Sequence, residues 1–158
     1  MKPINYTVGD ATMPQTPGNK IIAHVCNDIG AWGKGFVLAI SKLSPAPERA
    51  YRDWYQGREQ NDFALGAVQF VRLSPEISVA NIIGQHGIRT ISGTPPIRYD
   101  AVETALEIIG RKALETEASV HLPRIGCGLA GGNWSKIEPL LEKQICVKDV
   151  AVFVYDLA

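Results

Sequence analysis

The chain has 158 residues, 46% of them hydrophobic, which suits one compact domain with its own core, and residues 1–158 are read as that single domain. Its 16 basic and 16 acidic residues cancel, so the overall charge offers no sequence-independent grip on duplex nucleic acid and no docking to an anionic membrane. Met1 to Val8 lacks the apolar run of a signal peptide and no later stretch is apolar enough to span a bilayer, so the expectation is a cytoplasmic protein with no membrane partner.

In chain order, Ile4 to Val8 reads as a strand that ends in Gly9-Asp10, and Pro14 to Gly18 reads as a surface loop. Lys20 to Cys26 is a second Val/Ile-rich strand, running into Asn27-Asp28 and then into a cluster of glycines at positions 30, 33 and 35. Helical spacing follows in Phe36 to Lys42 and in Pro47 to Gln56. Strands are expected at Ala67 to Arg72 and Ser78 to Ile83, the second leading to Gln85-His86-Gly87. Ile91 to Pro96 reads as a loop long enough to move near a site. The clearest helix is Tyr99 to Thr116, with Val102, Ala105, Leu106, Ile109 and Ala113 on one face. Ser119 to Leu122 is a short strand, Trp134 to Lys143 a helix, and Val150 to Val154 a last strand, apolar on both faces as in a sheet covered on both sides. This alternation specifies an α/β layered domain with a largely parallel central sheet.

Between the fifth strand and the helix at Trp134 lies Pro-Arg-Ile-Gly-Cys-Gly-Leu-Ala-Gly-Gly-Asn-Trp, from Pro123 to Trp134. Gly126, Gly128, Gly131 and Gly132 have no Cβ, so several backbone N–H groups can converge on one anion, and the following helix would aim the positive end of its dipole at the same place. The other reading of such glycines is a tight turn. The earlier cluster, Gly30-Ala-Trp-Gly-Lys-Gly35, lacks the G-x-G-x-x-G order of a dinucleotide fold and has no Gly-Lys-Ser/Thr of a Walker loop. Two glycine loops at neighbouring strand ends can still enclose a diphosphate from both sides, with Lys34 left in solvent. In α/β sheets ligands sit beyond the carboxyl ends of the strands, and Asp10, Asn27, Asp28, Gln85, His86 and the glycine-rich loop all fall there. Asp10 is either a turn cap or an acceptor for the exocyclic amine of a base. His24, inside an apolar strand, reads as a core histidine, and Arg98 and Arg124 either touch substrate or, in the commoner use, make surface pairs. Cys26, Cys127 and Cys146 are odd in number and lack a C-x-x-C spacing, which fits reduced thiols rather than a disulfide framework or a zinc site. No metal and no cofactor is expected.

The Gly-Asp after the first strand, Ala-His-Val-Cys-Asn-Asp with Gly-x-Trp-Gly-x-Gly, Pro-Arg-Ile-Gly-Cys-Gly-Leu before a helix and the terminal Val-Tyr-Asp-Leu together resemble a macro domain, over nearly the whole chain. Within that family the resemblance is to the branch of a chromatin-remodeller macro domain and the terminal ADP-ribose protein glycohydrolase. It implies a three-layer α/β/α fold with a mostly parallel six-stranded sheet and a pocket for ADP-ribose or ADP-ribosylated protein. Carried over by position, Asp10 would accept from the adenine amine, the Ala11 amide would meet the ring, and Tyr155 and Leu157 would flank it; without the resemblance Tyr155 reads as an aromatic plug at the core edge. Gly126, Cys127, Gly128, Leu129, Ala130 and Gly131 would wrap the diphosphate, with Gly33, Gly35 and Phe36 closing the other side. Asn27, Asp28 and Gln85 would lie by the distal ribose.

In the glycohydrolase of this branch a lysine and an aspartate do covalent chemistry; here Gln85 and Ala130 stand at those positions, and neither side chain can act as nucleophile or base. The remaining groups are Asp28, to position or deprotonate a water, Asn27 beside it, and His86, of a residue type suited to proton transfer. His24 matches a position in a yeast ADP-ribose 1″-phosphate phosphatase. The resemblance therefore implies a hydrolase acting on the distal ribose of ADP-ribose, removing an ester-linked protein, an acyl group or a 1″-phosphate. The alternatives are a non-catalytic ADP-ribose reader and a nucleotide- or RNA-binding domain of the same fold.

Overall fold

The computed structural model describes residues 1–157. The strands are β1 (Ile4–Val8), β2 (Lys20–Asn27), β3 (Val68–Arg72), β4 (Ile77–Gln85), β5 (Ser119–Leu122) and β6 (Val152–Asp156); the helices are α1 (Phe36–Leu43), α2 (Ala46–Gln56), α3 (Tyr99–Thr116) and α4 (Trp134–Gln144). One sheet holds the strands in the order β1-β6-β5-β2-β4-β3. Every neighbouring pair is parallel except β3 with β4. That pair is joined by the short turn Leu73–Glu76, which only an antiparallel pair can use, whereas the parallel pairs need longer crossovers. The carboxyl ends of β1, β6, β5, β2 and β4 therefore share one rim, and the loops that follow them converge there.

Alternation along β2 separates two cores. Ile21 and Ala23 meet α3 and α4 through Leu106, Ile109, Ile137 and Leu141, while Ile22 and Cys26 meet α1 and α2 through Ile40, Tyr51 and Trp54. The result is the expected three-layer α/β/α arrangement. On the β5–β6 side, His121 is fully buried, stacked on Phe153 at 5.0 Å and bonded to Ser119 Oγ at 2.7 Å and to the Tyr155 hydroxyl at 2.8 Å.

The boundaries differ from expectation where pairing rather than composition sets them. β6 runs Val152–Asp156 instead of Val150–Val154, because the chain first makes a 3-10 turn at Cys146–Lys148 and passes through Asp149 at φ 60° before Val152 pairs with Ile4. β4 extends past Ile83 to Gln85, whose partner is Asn27 across an irregularity in the β2 register. Ile91–Pro96 is not uniformly a surface loop: Ile91 and Thr94 bridge each other, while Pro96 is buried. Among the described residues no helix is long and apolar enough to cross a membrane.

Candidate functional site

A cleft of about 310 Å³ opens at the rim where β2 and β5 end. One wall is Lys34, Gly35, Phe36 and Val37, the other Gly126, Gly128, Leu129 and Ala130; His24 and Val25 form its base, and Gln85 and Arg124 stand at its margins. The two glycine clusters thus face each other across one cleft. A methyl group on Gly35 would lie 3.7 Å from Leu129 Cδ1.

Both walls present backbone donors without acceptors. α1 starts after Gly35, which has φ 77° and no side chain to cap the helix, so the amides of Phe36 and Val37 at the first turn have no partner among the described residues. In the opposite loop, the Gly131 amide bonds to Gly128 O at 3.0 Å and the Gly132 amide to Gly126 O at 2.7 Å, while the amides of Gly128, Leu129 and Ala130 find no acceptor among the described residues. Unpaired N–H groups on two facing walls can hold an anion without any charged side chain. Cys127 takes no part in this donor set: its amide bonds to Arg124 O at 3.3 Å and its thiol to Ile125 O at 3.4 Å, and burial raises the thiol's pKa.

The helix whose start faces this cleft is α1, not the expected α4. The start of α4 is capped by Asn133, whose Oδ1 accepts from the Ser135 amide at 3.0 Å, and it borders a separate cavity with Pro95, Tyr99, Gly131 and Lys136. The turn at Gly131 and Gly132 carries the chain away from the cleft before α4 begins, and the dipole at the cleft is that of α1.

The Asp28–His86 pair is assembled as expected. Asp28 Oδ2 accepts from His86 Nδ1 at 2.7 Å, and Oδ1 accepts from the Gly87 amide at 2.7 Å. The carboxylate sets the imidazole tautomer: with hydrogen on Nδ1, Nε2 carries a lone pair. The pair stands beyond Gln85, outside the cleft walls, and Gln85 Nε2 donates to Gly87 O at 3.0 Å. Asn27 is differently employed. Its Oδ1 accepts from the amides of Ile29 and Ala31 and from the Tyr51 hydroxyl, and its Nδ2 donates to Ala31 O at 2.6 Å. The amide shapes the bend after β2, its oxygen fully engaged, while the second Nδ2 hydrogen has no acceptor among the described residues.

His24 is buried and bonded through Nε2 to Asn81 Oδ1 at 2.5 Å, and Asn81 in turn donates to Gln69 Oε1 at 3.0 Å and to Pro47 O at 3.1 Å. Because the Asn81 amide nitrogen is spent on two acceptors, its oxygen faces His24, which must donate from Nε2. Burial lowers the His24 pKa to about 4, against the opposing bond to Asn81, so the ring is neutral near pH 7. It is the core histidine the sequence suggested, placed so that its edge forms the base of the cleft.

At the β1–β6 end of the rim, Asp10 Oδ1 accepts from Thr12 N at 2.8 Å and Thr12 Oγ1 at 2.7 Å. One carboxylate oxygen thus makes the turn; no protein donor among the described residues engages Oδ2. Ala11 is buried, and Leu157 is 82% exposed. Tyr155 is half-buried, with its hydroxyl bonded to His121 Nδ1 at 2.8 Å. Arg124 forks onto Asp156 through Nε at 2.7 Å and Nη2 at 3.0 Å, and lies over the rings of Tyr6 and Trp134. It is the surface pair expected of it. Arg98, expected in such a pair as well, instead donates from Nη1 to the carbonyls of Pro95, Pro96 and Ile97. The reading missed Val25, Val37 and Ile125 as cleft residues; apolar side chains in a buried strand or first helical turn carry no signal that separates lining a cleft from filling a core.

No family model matches the chain. A macrodomain protein from Streptomyces coelicolor is 56% identical to it, over 97% of this chain and 98% of that one, and superposes with a TM-score of 0.88. This chain belongs to the macrodomain family. The macrodomain is also 32% identical over 163 residues to a mouse chromodomain-helicase-DNA-binding protein 1-like, matching 96% of this chain but only 17% of that much longer protein. It is 24% identical over 162 residues to an ADP-ribose 1″-phosphate phosphatase of Lodderomyces elongisporus, covering 97% of this chain and 99% of the phosphatase.

Proposed function

We propose that this macrodomain binds ADP-ribose, with the diphosphate between the amides of Phe36 and Val37 and those of Gly128 to Ala130, and hydrolyses a group from the distal ribose. The carrying observation is the set of unpaired backbone donors on both walls of one cleft. The adenine lies toward Asp10, whose Oδ2 accepts from the exocyclic amine, with the Ala11 amide, the Tyr155 ring and Leu157 around it. Gly35 closes the α1 wall with Gly33 just before it, Gly131 ends the opposite loop where it turns away, and the distal ribose lies toward Gln85. A relative named ADP-ribose 1″-phosphate phosphatase supports the ligand and the reaction class. An ester-linked protein and an acyl group are the other substrates we include. The free thiols of Cys26, Cys127 and Cys146 suit the reducing cytoplasm in which we place this activity.

Chemically, Asp28 holds His86 with Nδ1 protonated, and His86 Nε2 takes a proton from the attacking water. Asp28 is the positioning residue of the pair, and Asn27 shapes the bend that carries it. Gln85 and Ala130 supply neither a nucleophile nor a base, so the water attacks directly. The same two residues favour a second reading, in which the domain is an ADP-ribose reader without turnover.

The test is release of product from ADP-ribosylated glutamate peptides, acetyl-ADP-ribose and ADP-ribose 1″-phosphate, alongside calorimetry. We expect turnover of at least one substrate, reduced at least 100-fold in His86→Ala and in Asp28→Asn, with ADP-ribose affinity kept within threefold. Binding without turnover of any substrate establishes the reader, and absence of binding removes both readings.

A further inference from the structure

The segment Pro95–Ile97 lies against the back of the glycine-rich loop. A methyl group on Gly126 would meet Ile97 Cδ1 at 2.5 Å, and one on Gly131 would meet Pro95 Cβ at 2.8 Å. On Gly132 a methyl would strike Gly126 O at 2.3 Å, with Ile97 Cγ1 at 3.5 Å. Gly128 differs: nothing lies within 4 Å of the corresponding position. Gly126, Gly131 and Gly132 are therefore required by the loop's own packing, and Gly128 alone has an open Cα.

We infer that Pro95–Ile97 is a strap that presets the anion-binding loop, with Ile97 as its positioning residue; the inference rests on the cleft's reading as a diphosphate site. The strap is tied at several points. The Ile97 amide donates to Ala130 O at 3.1 Å, the His86 amide to Pro96 O at 2.8 Å and the Arg98 amide to Gly84 O at 2.9 Å. Arg98 Nη1 donates to the carbonyls of Pro95, Pro96 and Ile97, fixing the strap's curvature from within. Ile97 is 4% exposed, so its side chain fills the space behind the loop and its amide holds the Ala130 carbonyl on that side. A loop braced in this way offers the Gly128, Leu129 and Ala130 amides already arranged, and the anion binds without the ordering that a free loop would require.

The experiment compares wild type, Ile97→Ala and Ile97→Val by amide NMR and by calorimetry with ADP-ribose and adenosine. Ile97→Ala should shift or broaden the Gly128, Leu129 and Ala130 amides in the free protein, leave those of Phe36 and Val37 in place, and weaken ADP-ribose at least tenfold while adenosine binding changes less than twofold. Ile97→Val, which keeps most of the volume, should restore affinity to within threefold. Unchanged Gly128–Ala130 amides with unchanged ADP-ribose affinity would overturn the strap, as would equal losses for both ligands. If Ile97→Ala does not fold, Pro95→Gly, which loosens the strap where it meets Gly131, takes its place: displaced Gly128–Ala130 amides with weakened ADP-ribose support the strap, and unmoved amides with unchanged affinity reject it. Wild-type protein that ignores ADP-ribose defeats the diphosphate reading, and the free-protein amides still test the strap.

Discussion

At the scale of single residues, the glycines of the Pro123–Trp134 segment show how one residue type serves two purposes. Both uses need a missing Cβ, so the sequence alone presents them as equivalent; only the neighbours separate them. Gly128→Ala adds a methyl where nothing lies within 4 Å, so thermal stability should stay within about 0.5 kcal/mol of wild type, the usual range for a change that strains nothing. ADP-ribose affinity should nonetheless fall at least tenfold as the methyl enters the cleft. Gly132→Ala drives a methyl into Gly126 O and should cost about 1–3 kcal/mol, the typical penalty of overpacking. Urea denaturation and calorimetry on the two variants read the contrast, and similar stability losses in both would refute it. Asp10 makes the same point, since one oxygen caps a turn while the other stays available, so its two sequence readings describe different atoms of one side chain.

At the scale of elements, the strands and helices follow from pattern because Val/Ile runs and the apolar face of α3 report burial directly. The helix at the cleft does not, because both α1 and α4 follow glycines and sequence cannot say which one ends a wall and which turns away. Asn133 at the cap of α4 was the available signal, since it satisfies a helix start internally, whereas Gly35 leaves α1 open. The strands also carry a consequence for pH. His24 on β2 is tied to β4 and β3 through Asn81 and Gln69, and His121 lies buried on β5 with the Lys20 charge as a second cause; both pKa values fall to about 4. The folded state keeps both rings neutral, while the unfolded chain takes up protons near pH 6.5. Their contribution to stability is therefore complete above about pH 6.5 and is lost as pH drops toward 4, by up to about 3 kcal/mol per ring. Urea unfolding free energies should decline from pH 7 to pH 4, with a shallower slope in His121→Gln. A flat profile would show that these rings accept protons in the fold.

At the scale of the whole molecule, the sheet order and the parallel strands bring the loops after β1, β6, β5, β2 and β4 to one rim, which is why the fold class, and the meeting of the two glycine clusters at that rim, could be read from the chain. What could not be read were long-range relations: the Ile97 strap behind the glycines, the Tyr155 hydroxyl bonded to His121, and the Asn27 amide oxygen engaged in its own bend. Each depends on residues far apart in sequence or on which atom of a side chain is used, and no spacing rule encodes either. The binding account itself reduces to two facing sets of amides holding one diphosphate. Its most direct measurement is a backbone-amide NMR titration of the wild-type protein with ADP-ribose. The account predicts saturable downfield shifts, as expected for hydrogen bonding to phosphate, at Phe36 and Val37 and at Gly128, Leu129 and Ala130 together; saturable binding that leaves either wall unmoved would contradict it.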